Sequence, residues 1–364
     1  NLLTYGVNLM DTMMLGRYSQ DAMGGVSLCN QVQFLLQMLV VGAGEGAVVM
    51  GSQYWGKNKL EPIPHIIGVA LRFGGSLAVL MFGIVLFFPH QLLSLLSNSP
   101  TVIAEGEKYF QIICFTYIIF TITNILVASL RSIGVVKIGY MISGSTLIIN
   151  VCLNYCLIYG RLGAPEMGVA GAAIATLVSR VVELIIILCY VLFIDKKLKM
   201  KWIELARFDF TFLRDYVKVA LPIVVSGMLW GVAQAAQTAV LGHISATVIA
   251  ANSIAIVIFQ IFAVFGLSCA NVASVVMGKT IGQGRLDMVR SYSKTMQAIF
   301  VLIGVTFGAL MFLFKDAIVG LYTVSDETKN LALNFLNLCR AQTCGKCVPC
   351  RIGLGQLAVL IEQV

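Results

Sequence analysis

Apolar residues run through this chain in long blocks, separated by short polar segments. A helix needs roughly 20 apolar residues to cross about 30 Å of hydrocarbon. The blocks predict helices near 1–16, 26–54, 63–89, 108–130, 137–160, 168–194, 216–241, 249–278, 292–314 and 328–338. The first and last are short for a span, and the opening reads as a truncated helix, not as a signal peptide. One longer polar stretch, from Asp195 to Lys218, carries Lys196, Lys197, Lys199, Lys201, Arg207 and Arg214.

Composition changes the picture from helical to membrane-embedded. Of 364 residues, 59% are hydrophobic and 12% charged, with mean hydropathy +0.90. A soluble domain carries about 25% charged residues, so a soluble enzyme is excluded. The net charge of +8 is a topology signal and gives no reason to expect nucleic acid. Lys57, Lys59, Arg131, Lys137, the 195–218 linker, Lys279, Arg285 and Arg290 fall on one set of loops. By the excess of basic residues on cytoplasmic loops, this set and the N-terminal side face the cytoplasm of a cell membrane.

The chain also repeats itself at a constant offset of 226 residues. Asp11-Thr-Met-Met-Leu-Gly16 lies over Gln237-Thr-Ala-Val-Leu-Gly242, and Gly56-Lys-Asn-Lys-Leu-Glu61 over Gly282-Gln-Gly-Arg-Leu-Asp287. Six spans per repeat leave both halves in one orientation, as parallel repeats about an axis along the membrane normal. The expected fold is therefore an all-α polytopic membrane protein of two pseudo-symmetric helical bundles, the second incomplete. Its parts are a six-helix bundle over 1–194, the basic linker 195–218, a partial bundle over 219–336 and a foreign-looking Cys-rich tail over 337–364.

Ionisable and polar groups inside apolar spans are costly and so are candidates for function. Asp11 shares a helical face with Asn8 and Thr4, and the matching face of the second half carries Trp230, Gln234 and Gln237. A second stripe is Thr146, Asn150 and Asn154; a third is Asn30, Gln33 and Gln37, with Gln260 as its nearest counterpart. Glu45 sits among small residues in Gly42-Ala-Gly-Glu-Gly-Ala47, and Glu183 is spaced to pair with Arg180 at i+3. The three histidines are isolated and no phosphate-binding loop is present.

Several stretches resemble multidrug and toxic compound extrusion (MATE) transporters. They are Met10-Asp-Thr-Met-Met-Leu-Gly-Arg17, Gln53-Tyr-Trp-Gly56, Leu130-Arg-Ser-Ile-Gly134, Asn150-Val-Cys-Leu-Asn154 and Gly168-Val-Ala-Gly-Ala-Ala-Ile-Ala-Thr176. The resemblance covers roughly 1–336. It implies no enzyme but a monomeric antiporter, exporting bulky cationic drugs or toxic compounds in exchange for Na+ or H+; a related branch moves lipid-linked precursors. It carries a cation-coupling role onto Asp11, Asn150 and Asn154, with Asn8 beside them. It also implies a substrate cavity, for which Gln33, Gln37, Glu45, Trp230, Gln234, Gln237 and Gln260 are the candidates. Asn154 stands where some members have a second aspartate.

The tail carries a different motif. Cys344, Cys347 and Cys350 are spaced as iron–sulfur ligands, and Thr343-Cys-Gly-Lys-Cys-Val-Pro-Cys-Arg-Ile-Gly353 resembles the cluster-binding segment of the NADH dehydrogenase flavoprotein subunit. The expected fourth cysteine is absent, so these residues are candidate metal ligands of a fragment and no resident cofactor is expected.

Overall fold

The structure, a computed structural model, describes residues 11, 14–15, 18–97, 99–161, 163, 165–195, 210–244, 264–266 and 268–320. Its elements are all helical: α1 Gln20–Gly56, α2 Ile63–Phe87, α3 Pro89–Ser94, α4 Pro100–Ile113, α5 Thr116–Ser132, α6 Lys137–Ile158 and α7 Gly168–Cys189. A π-helical turn, Tyr190–Ile194, closes α7, and α8 Phe210–Ile244, α9 Val264–Gly282 and α10 Leu286–Gly320 follow. Among the described residues, seven helices are long and apolar enough to cross a membrane, or eight if α4 and α5 form one bent span.

The helix ends follow local chemistry. Ser19 caps α1, its side chain accepting from the Ala22 N–H with Asp21 in the first turn. That cap starts the helix before the block expected at 26–54. Prolines sit in the first turns of α2, α3 and α4, where a missing N–H costs nothing.

The single span expected at 108–130 is instead a broken pair. Axes of α4 and α5 meet at 54° across Cys114 and Phe115. There the Thr116 hydroxyl donates to the Ile113 carbonyl at 2.6 Å, giving that carbonyl a partner where the helix ladder stops. The pair also begins earlier than expected, because the polar first turns of α4 are compensated: Lys108 pairs with Glu105 at 2.6 Å, and His90 with Glu107 at 2.7 Å.

Two compact units divide the chain: Asn1–Met228 with Gly278–Gly284, and Leu229–Met277 with Arg285–Val364. In the first unit α1 packs against α2, α4 and α5, while α7 packs against α4, α5 and α6. Close approach of α1 to α4 rests on glycine: a Cβ on Gly25 would lie 2.7 Å from the Gly106 nitrogen and 2.8 Å from the Val102 carbonyl oxygen. At that crossing the Cys29 thiol donates to the Gly106 carbonyl at 3.3 Å. The division falls inside α8, whose first part is held to α1. Tyr216 donates to the Ala43 carbonyl at 2.5 Å, and a Cβ on Gly46 would meet the Ala220 methyl at 2.7 Å. In the second unit Phe265 of α9 stacks on Phe307 of α10, ring centroids 4.2 Å apart.

Large apolar side chains such as Leu80, Phe87, Tyr140, Ile148, Phe193 and Leu302 stand exposed, as expected where the surrounding solvent is lipid. The buried set of the first unit, including Leu15, Val26, Phe110, Tyr117, Ile158 and Val169, forms a continuous core.

Gly25→Val is expected to lower the melting temperature of the detergent-purified protein, because the added carbons meet backbone and not a flexible side chain. Overpacking of this kind costs about 1–3 kcal/mol or more. Gly83→Ala, where a Cβ would meet nothing within 4 Å, is the control and should leave the melting curve in place.

Candidate functional site

The buried side of α6 is written at a spacing of four: Ile138, Ile142, Thr146, Asn150, Asn154 and Ile158. Residues at i and i+4 stack along one helix face, so the two asparagines stand one above the other, and both are 0% exposed. That face meets α7, whose own buried stripe brings Thr176 and Ser179 to the contact.

The amides are linked. Asn154 donates through Nδ2 to the Asp11 carboxylate and, at 3.0 Å, to the Asn150 Oδ1. Asn150 donates through Nδ2 to the Thr176 hydroxyl at 3.2 Å. Asp11 is itself buried, and the segment bearing it is tied to α6 by Tyr159, which donates to the Met14 carbonyl at 2.7 Å. The Asn154 Oδ1 is buried with no hydrogen-bond partner among the described residues. Buried polar atoms are nearly always satisfied, so this oxygen marks a place where a further group belongs.

A polar cavity opens beside the network. Asp11, Asn150 and Thr146 form one part of its wall, Asn30 and Gln33 of α1 another, and Arg180 of α7 a third. It is small, with a volume of about 20 Å³, room for about one water molecule, and it opens to the outside.

Asp11, Asn150 and Asn154, the coupling candidates, thus lie in one hydrogen-bonded network, and Gln33, a substrate-cavity candidate, lines the cavity beside it. Others do not. Gln37 is half-buried and does not line this cavity. Glu45 does not line it either, because it lies twelve residues beyond Gln33 on α1, about 18 Å along the axis. Glu45 instead binds Arg131 of α5 at 2.5 Å, with the two side chains 19% and 25% exposed. Trp230 and Gln234 are half-buried and Gln237 is buried, all on the part of α8 that belongs to the second unit. Asn8, Gln260, Cys344, Cys347 and Cys350 lie outside the described residues. Among the described residues no group of three or more His, Cys, Asp or Glu side chains could hold a metal ion. Sequence reasoning passed over Arg180 as a cavity residue, since its i+3 spacing to Glu183 already supplied a partner; that pair is present at 2.7 Å.

A bundle of apolar helices with a buried carboxylate, an amide network and a polar cavity has the parts of a membrane transporter. Residues 1–156 and 222–348 match the MatE family model, and the chain belongs to that family of transporters. The chain is 25% identical over 339 residues to the "Probable multidrug resistance protein NorM" of Listeria monocytogenes, covering 92% of this chain and 74% of that protein. The protein of the same name from Thermotoga maritima is 26% identical over 330 residues, 89% of this chain and 69% of its own length. The fold is similar to that of a MOP superfamily transporter from Pyrococcus furiosus, with TM-score 0.82, 21% identity, and coverage of 92% of this chain and 74% of that one. A multidrug resistance MATE family transporter in an outward-facing conformation superposes with TM-score 0.81 and 19% identity, over 94% of this chain and 75% of its own.

The Glu45–Arg131 bond gives a direct test of packing between α1 and α5. Glu45→Gln or Arg131→Gln alone leaves a partly buried charge unpaired and is expected to destabilise by about 1–3 kcal/mol. The double variant should recover a good part of that loss. Thermal denaturation of all four proteins, read as a double-mutant cycle, checks it; additive losses would show that the pair is not coupled.

Proposed function

We propose that the chain is the transporting part of a secondary active antiporter, which exports bulky cationic organic compounds in exchange for Na+ or H+. The observation that carries this reading is the buried network of Asp11, Asn154, Asn150 and Thr176 on the wall of a polar cavity. A carboxylate in an apolar bundle is costly unless it is paired. Asp11 has one amide donor, Asn154, and no lysine or arginine bonded to it among the described residues, which leaves it available to a cation. The unpaired Asn154 Oδ1 and the carboxylate oxygens suit a hard cation, and this favours Na+ as the coupling ion. The NorM relatives are named for multidrug resistance, which agrees with this substrate class.

Antiport follows if the coupling cation and the substrate compete for Asp11 and prefer opposite states of the protein, since a ligand shifts an equilibrium only by its differential affinity. The distribution of lysine and arginine supports a cytoplasmic position for the 195–218 linker and the N-terminal side. The protein acts as a monomer in the cell membrane.

Asp11→Asn removes the charge while keeping the shape. In proteoliposomes it should lower ion-gradient-driven export of a cationic dye about tenfold or more, the size expected for losing a charged interaction of about 1.5–3 kcal/mol. Imposing a Na+ gradient and a pH gradient separately identifies the ion. Unchanged export by Asp11→Asn would remove Asp11 from the coupling role.

A further inference from the structure

The repeat offset of 226 residues returns as a contact in space. Added to Ser52, Gln53 and Gly56, it gives Gly278, Lys279 and Gly282. These two trios, one at the end of α1 and the other at the end of α9, pack on each other within the first unit. A Cβ on Gly56 would run into the Lys279 carbonyl, a Cβ on Gly282 into the Gln53 carbonyl, and a Cβ on Gly278 into the Ser52 hydroxyl. Each trio thus offers the other the same glycine and the same carbonyl, and Ser52 meets its own counterpart. Such reciprocity defines an isologous contact, made here inside one chain by its two repeats. The motifs Gln53-Tyr-Trp-Gly56 and Leu130-Arg-Ser-Ile-Gly134 also meet at this crossing. The Lys279 ammonium lies 4.2 Å from the centroid of the Trp55 ring. That ring rests in turn on Gly134, where φ is +78° and a Cβ would come within 3.1 Å of it.

We propose that this crossing is a releasable latch, which holds while the cytoplasmic end of the transporter is shut and parts when that end opens. Glycine backbones touch there with no large side chain threaded between them, so the two trios can separate in one movement. The clasp of Lys279 on Trp55 is a single cation–π contact, which holds without a buried ion pair to break. The part of α9 before Gly278 falls with the second unit, and the helix runs unbroken through Met277 and Gly278. Any movement of that unit is therefore carried straight to the contact. Lys57, Lys59 and Arg285 in the adjoining turns are the basic excess expected of cytoplasmic loops. The latch requires only that the chain is a transporter; it does not depend on which ion or cargo is moved.

The test places a thiol under the latch with Ser52→Cys, at a position that is 0% exposed. Inside-out and right-side-out membrane vesicles bearing the full chain are treated with a membrane-impermeant maleimide, and labelled residues are identified by peptide mass. Cys29, also 0% exposed but at the α1–α4 crossing, reports unfolding. The introduced thiol should label slowly and from the cytoplasmic face alone, while Cys29 stays unlabelled. Its rate should level off as reagent is raised, because opening becomes limiting. Gly56→Ala and Gly282→Ala should each speed labelling about tenfold, as overpacking of the closed contact predicts. Lys279→Gln adds no volume and should speed it about threefold, the worth of one exposed cation–π contact. A thiol that labels only together with Cys29, or from the outer face, or at a rate that these variants leave unchanged, would overturn the latch. Ion-driven export is scored separately in proteoliposomes. Its absence beside an intact labelling pattern would count against antiport and not against the latch.

Discussion

A carboxylate enclosed by apolar helices must find its hydrogen bonds within the protein, and this constraint organises the described part of the first unit. Asp11 is served by the Asn154 amide, which is in turn positioned by Asn150, and Asn150 by the Thr176 hydroxyl. Each link asks a particular helix to present a particular face. The buried stripe of α6 must turn toward α7, and the segment bearing Asp11 must pass close enough for Tyr159 to reach the Met14 carbonyl. In a low-dielectric interior an unpaired polar group is costly, so these contacts act as a register mark for packing as well as a place for an ion.

Dispersion and steric fit supply the rest, because lipid offers no hydrophobic drive between helices. Gly25 lets α1 approach the backbone of α4, and Gly46 lets it approach α8. The Glu45–Arg131 bond fixes α1 against α5 at the same level as Gly46. One long helix is therefore pinned at two depths by two kinds of contact. The polar cavity beside Asn30 and Gln33 is defined by where that helix stops short of α6 and α7.

What the sequence revealed was local, and what it hid was tertiary. Asn150 and Asn154 stood out because two amides four residues apart in an apolar run share a face whatever the neighbours are. Asp11 stood out as an acid within a span. The break between α4 and α5 was invisible because Cys114, Phe115 and Thr116 are apolar or small, and neither glycine nor proline marks the bend. Glu45 was assigned to the cavity because its partner Arg131 is distant in sequence and on another helix. Arg180 was explained too early by its own-helix neighbour; which way an arginine on α7 points depends on packing that no spacing rule contains. Ser19 was overlooked because the residues after it are polar, so the apolar block begins well inside the helix it caps.

The stripe on α6 also restricts how this protein can vary. Each residue advances the helix by about 100°, so one residue inserted between Ile142 and Asn150 would swing both asparagines away from α7 and separate them from Asp11 and Thr176. A substitution at one position removes one group, whereas a change of length there dissolves the whole arrangement. The turn after α6, with Gly160 and Gly163 at positive φ, has no such periodicity to keep. Insertions and deletions are therefore expected to gather in that turn, while the residue count between Thr146 and Ile158 is as much a part of the site as its side chains.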